Sequence, residues 1–180
     1  PQQSDNGIKE EDYTFTEDTE ITGFMKLRLW VEADGHDDMD LFINIQKLDE
    51  QGNFLPTYVL GEPHPGAWGK MRVSHRKLDP KLSTDFQPVQ AHTVEEKLKP
   101  GEIVPVDIEI VPHSKIWHEG QQIRVQIAGR YIREPGWFER LVWTPDNHGN
   151  HIIHSGGKYD SFLQIPVIPP RYVAKNYIYR

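Results

Sequence analysis

A serine nucleophile needs a base beyond it and a sharp turn that exposes its hydroxyl. The serines here are Ser4, Ser74, Ser83, Ser114, Ser155 and Ser161. None sits in a Gly-x-Ser-x-Gly elbow, and Ser155-Gly156 supplies only half of one. They read as surface or turn serines, and no catalytic residue is assigned. His36, Asp37, Asp38 and Asp40 form an acidic cluster of the kind a hard cation such as calcium prefers. Counted from Asp34, however, the sixth position is Met39 rather than Gly, and the twelfth is Ile45 rather than Glu. That spacing is not an EF-hand, and the cluster reads as a solvated loop ahead of a strand. His148, His151 and His154 are three apart. On a helix they would align, but Gly149, Ile152 and Ile153 suggest loop and strand, where residues three apart face opposite ways. No metal site and no cofactor is assigned. Trp68, Trp117, Trp137 and Trp143, with Tyr131 and Phe138, could stack on sugars. Aromatics also bury large areas, so most of them are expected in the core or at an interface. Trp68 and the Trp137-Phe138 pair lie in loops and are the ones placed to meet a partner.

The totals exclude several classes. Net charge is −7 and no basic run is present, which argues against a nucleic-acid partner. Cys is absent, which removes disulfides, thiolate catalysis and zinc-thiolate sites but leaves the compartment open. No apolar run approaches the ~20 residues of a membrane span. At 180 residues, with 14 Pro and 14 Gly, the chain suits one domain rich in turns.

The elements that must position these residues are strands. Val104, Val106, Ile108 and Ile110 alternate with polar residues, and so do Ile123, Val125 and Ile127. Period-2 alternation puts one face in a core and the other in water. Pro100-Gly101 and Glu119-Gly120 mark the turns that open these strands. Leu27, Leu29 and Val31 make another such face, and 41–48 is the next strand. The turn 49–53 and a return strand 54–60 suggest a hairpin. A Gly- and Pro-rich loop is expected at 61–69, a short strand at 71–75, and at most one helical turn near 93–98. Closing strands are expected at 151–154 and 161–167. Residues 1–12 read as a linker or arm, 13–170 as the domain and 171–180 as a tail. The pattern predicts an all-β, two-sheet jelly-roll sandwich.

The order of several motifs resembles the C-terminal non-catalytic domain of the X-Pro dipeptidyl-peptidase and cocaine-esterase-like (CocE/NonD) serine hydrolases. Thr19-Glu-Ile-Thr-Gly23 with Leu27-Arg-Leu-Trp30 resembles the family's first core strand. Asp38-Met-Asp40-Leu-Phe-Ile resembles its Asp-x-Asp strand, followed by the turn at Gly52. Met71-Arg-Val-Ser-His-Arg76 resembles its Gly-x-x-Arg-x-Ser-x-Arg segment. Leu98-Lys-Pro-Gly-Glu102 and His118-Glu-Gly-Gln-Gln-Ile-Arg124 resemble its most specific run. His154 and Leu163-Gln-Ile-Pro-Val-Ile168 resemble its closing strand.

The resemblance implies a galactose-binding-like jelly roll that packs on an α/β-hydrolase catalytic domain and a helical cap of the same parent chain. It implies that the Ser-His-Asp triad lies in that other domain, so this chain alone is expected to be inactive. By the same analogy the jelly roll supplies one wall of the substrate cleft, with Trp68 and Leu60 the candidates. Trp137 and Phe138 are candidates for interdomain contact. Homo-oligomer contacts are left open. The alternative reading is a stand-alone carbohydrate-binding module, and a third is a calcium-stabilised adhesion-like domain.

Overall fold

The alternating stretches become the longest strands. In a computed structural model, which describes residues 7–59, 61–64, 66–132 and 143–169, β2 (Thr19–Asp34) runs antiparallel to β7 (Val104–Trp117). Ile21, Met25, Leu27, Leu29 and Val31 on β2 are buried with Val104, Val106, Ile108 and Ile110 on β7. β9 (Asn150–His154), β10 (Phe162–Gln164) and β11 (Val167–Ile168) also pair with β2 and complete a five-stranded sheet. The facing four-stranded sheet has the order β1, β8, β3, β6, from β1 (Ile8–Thr14), β3 (Asp40–Leu48), β6 (Ala67–Arg72) and β8 (Gln122–Ala128). β4 (Thr57–Val59) and β5 (Glu62–His64) form a small ribbon. The architecture is the expected all-β sandwich, and its core lies between the two sheets. Among the described residues the helical element is a 3-10 turn at Val73–His75, and no helix is long and apolar enough to cross a membrane.

The structure corrects several boundaries, each for a physical reason. Residues 8–12 are not linker but part of β1, which pairs with β8 from Ile8 opposite Ala128 to Thr14 opposite Gln122. β1 carries no apolar alternation because it is a polar edge strand. Its backbone ladder and a bidentate Arg124–Asp12 pair, 2.8 Å at both contacts, hold it. The expected 61–69 loop contains β5 and the start of β6. β6 turns Ala67, Gly69 and Met71 inward, so two of its three core positions are too small to register as apolar. Gly69 is required there, because a Cβ would stand 2.3 Å from the Glu109 carbonyl oxygen of β7.

The strand expected at 71–75 stops at Arg72 and becomes the 3-10 turn, with Val73 and Ser74 buried. Among the described residues the return segment meets β3 at the Leu48–Phe54 bridge and through the Leu55 N–H donated to the Lys47 carbonyl, and β4 pairs with β5 instead. No helical turn forms at 93–98, where Glu96 and Leu98 donate to the Ser74 and Asp37 carbonyls. Residues 171–180 lie outside the described residues.

A bulge in β7 has the largest effect on side-chain placement. Gly23 faces His113 but Met25 faces Ile110, so β7 carries one extra residue, at Val111-Pro112. The extra residue reverses the phase of the strand. Before it the even positions are buried. After it Pro112, Ser114 and Ile116 are exposed, while His113 and Lys115 turn to the less exposed side and Trp117 enters the core. Proline lacks the N–H that a regular ladder position would use, so Pro112 is at ease beside a bulge.

Candidate functional site

On β6 the positions that alternate with Ala67, Gly69 and Met71 are Trp68, Lys70 and Arg72, so these three side chains project from the outer face. Lys70 Nζ lies 5.7 Å from the Trp68 ring centroid and 5.1 Å from that of Trp143. Arg72 continues the stack at 5.5 Å from Trp143. Trp68 is therefore half-buried on a strand rather than in a loop. The expected aromatic platform is divided: Trp117 lies in the core beside Phe15, and Tyr131 packs on Phe42 with centroids 4.5 Å apart. Leu60, Trp137 and Phe138 lie outside the described residues.

The acidic cluster is solvated only at its start, where Asp37 is exposed; Asp38 and Asp40 are buried. Asp40 is fully buried and receives Arg72 Nε at 2.9 Å and Arg72 NH2 at 2.8 Å. Its carboxylate also accepts the Asp146 N–H at 2.7 Å, and Asn147 bonds its backbone N–H at 2.6 Å and its carbonyl at 3.1 Å. Asp38, equally hidden, accepts the N–H groups of Met39 and Ser74 at 2.9 Å each and Lys97 Nζ at 3.2 Å. Burial works against the Asp38 charge, but the bonds from Ser74, Lys97 and Met39 outweigh it and hold its pKa below the ordinary carboxylate value. Arg76 closes the same corner through the Val73 and Glu96 carbonyls. Asp38, Asp40, Arg72, Ser74 and Arg76 thus form one clamp joining β3, β6, the 3-10 turn and the loop before β9. The carboxylate oxygens of Asp38 and Asp40 hold protein groups.

The opposite end of β3 is basic. Lys47 donates to the Ile116 carbonyl at 2.7 Å, which places it against β7 next to Lys115. Burial lowers the Lys47 pKa. Burial and then repulsion from Lys47 lower that of Lys115. His113, two residues along the same face, is held below 6.5 by burial, then by Lys115 and His64. Its Nε2 is buried and has no hydrogen-bond partner among the described residues. His64 accepts the Gly66 N–H at 3.2 Å. Among the described residues none of the four forms an ion pair with a carboxylate. Two partly desolvated lysines that repel each other, beside a half-buried imidazole, are an anion-seeking arrangement. Sequence reading missed it because the alternation of β7 predicts Lys115 in water; only the bulge turns it inward.

The three histidines spaced by three separate as expected. His154 Nε2 pairs with Glu32 at 2.9 Å and stacks near Tyr159. His151 is half-buried under Gly129, and desolvation lowers its pKa. His148 lies exposed in the preceding loop. Three of the serine hydroxyls are used locally: Ser83 donates to the Val89 carbonyl, Ser161 to the His154 carbonyl, and Ser114 pairs with Thr22.

Residues 1–164 match the family described as the X-Pro dipeptidyl-peptidase C-terminal non-catalytic domain. Two crystal structures of a CocE/NonD family hydrolase from Staphylococcus aureus are similar at 39% identity, with TM-scores of 0.81 and 0.80. The similarity covers 89% and 90% of this chain but 30% of each of those chains. An α-amino acid ester hydrolase shares the fold at TM-score 0.64 and 11% identity, over 91% of this chain and 26% of its own. No curated protein matches.

Proposed function

The chain belongs to the family of X-Pro dipeptidyl-peptidase C-terminal non-catalytic domains, and from that membership we propose that it packs on an α/β-hydrolase catalytic domain and shapes its substrate cleft. The observation that carries this reading is the match over residues 1–164, joined to the 30% share of the similar hydrolase that such a domain occupies. The parent activity would be cleavage of an ester or peptide bond by a Ser-His-Asp triad carried outside this chain. Trp68 and Leu60 would face the cleft, and Trp137 and Phe138 would meet the neighbouring domain. The open basic end of β3 supports docking, since a carboxylate from a partner would relieve the repulsion among Lys47, Lys115 and His113. A stand-alone carbohydrate module suits the surface less well, because Lys70 lies over both Trp68 and Trp143.

Two measurements test the proposal. The pure chain, given a p-nitrophenyl ester, is expected to show no serine-dependent turnover; stoichiometric turnover would overturn the reading. In the longer protein Trp68→Ala is expected to raise KM more than it lowers kcat, as loss of a binding wall does. An unchanged KM would remove Trp68 from the cleft.

A further inference from the structure

We propose that His36, Asp146 and His148 form a zinc-binding site that ties the β2–β3 loop to the loop before β9. Each offers one ligand atom, and these atoms all lie within 4.8 Å of one another. The His36 and His148 rings are 5.0 Å apart between centroids, and His148 Nε2 stands 3.2 Å from an Asp146 carboxylate oxygen. Two imidazole nitrogens and one carboxylate are a donor set for zinc and its first-row neighbours, whereas calcium and magnesium want mainly oxygen. Three protein ligands leave a fourth position to water.

The site is held from behind. Asp40 fixes the Asp146 N–H at 2.7 Å, and Asn147 bonds both backbone groups of Asp40. On the other side of His148, Gly149 lies so close to the Asp34 carbonyl oxygen that a Cβ would stand 2.0 Å from it. No side chain could follow the chain through that gap. The His148 loop is therefore anchored on both flanks beside His36. His36 is oriented as well: Nδ1 lies 3.3 Å from the Asp38 carbonyl. In the tautomer that donates there, Nε2 carries the lone pair a metal uses. A backbone carbonyl behind a ligating imidazole is the usual support of such a ligand. The buried Asp38 and Asp40 clamp thus acts as the frame of the site.

The test is a zinc titration of the chelator-treated 180-residue chain by calorimetry. One saturable site per chain is expected. His36→Gln, His148→Gln and Asp146→Asn should each weaken it by at least about tenfold. His118→Gln, at an exposed imidazole paired with Asp18 away from the site, should leave it unchanged. Copper substituted for zinc should show two coordinated imidazole nitrogens by electron paramagnetic resonance. Circular dichroism of the metal-free variants checks that each is folded, as expected for side chains on the surface. Absence of saturable zinc binding would overturn the proposal, and so would binding of undiminished affinity in the His36→Gln/His148→Gln double variant.

Discussion

The two ends of β3 treat buried charge in opposite ways. At the start, Asp40 is fully enclosed, and its oxygens are filled by Arg72 and the Asp146 N–H. At the end, Lys47 and His113 each lie near Lys115, with no carboxylate paired to any of them among the described residues. A buried charge is costly unless it is paired and hydrogen-bonded. The first end is therefore closed within the chain and serves the fold. The second carries no paired carboxylate among the described residues, and burial, with the repulsion of Lys47 on Lys115, lowers the proton affinity of its lysines instead.

This contrast can be broken or sharpened by measurement. The largest effect is expected at the closed end: Asp40→Ala strands a partly buried guanidinium and should cost about 3 kcal/mol in urea unfolding. A loss below about 1 kcal/mol would mean that the clamp is not closed by Asp40.

Acid titration comes next. His113 and His151 are held below 6.5 by burial, so the folded chain resists protons that the unfolded chain accepts. Stability should be full above pH 6.5 and fall as pH drops from there toward the lowered folded pKa values. His151→Gln should flatten part of that decline, and an unchanged slope would remove His151 as a cause.

At the open end, Lys115→Met should be neutral or stabilising by up to about 1 kcal/mol, the reverse of Asp40→Ala. A clear destabilisation would reveal a partner for Lys115 inside the chain. The smallest effect is expected at Ile116, which the bulge leaves 48% exposed. Ile116→Ser should change stability by no more than about 0.5 kcal/mol, whereas unbroken alternation would have made it a core substitution.

Much of the fold was legible because burial in a sandwich writes itself into the chain every second residue. β2, β3, β7 and β8 carry that signal in Leu27, Leu29, Ile43, Ile45, Ile108 and Ile123. β1 and β6 do not: β1 is a polar edge, and β6 uses Ala67 and Gly69 where it must approach β7 closely. The clamp was half legible. Asp38, Asp40, Arg72, Ser74 and Arg76 stood out as motifs, yet their acids first read as solvated, since no local pattern tells a carboxylate where its guanidinium lies. The even spacing of His148, His151 and His154 does not bring them together, because it measures separation along the chain while a metal requires convergence in space.

By itself the sequence determined the all-β class, the faces of its long strands, the absence of a serine elbow and the family's motif order. These follow from periodicity and local turn chemistry, which neighbouring residues fix. The tertiary structure alone decided where charges meet. One extra residue at Val111-Pro112 turned Lys115 toward Lys47, and the closure of Arg72 on Asp40 carried Asp146 and His148 to His36. Both outcomes depend on contacts between residues distant in the chain, which only the packing of the two sheets brings together.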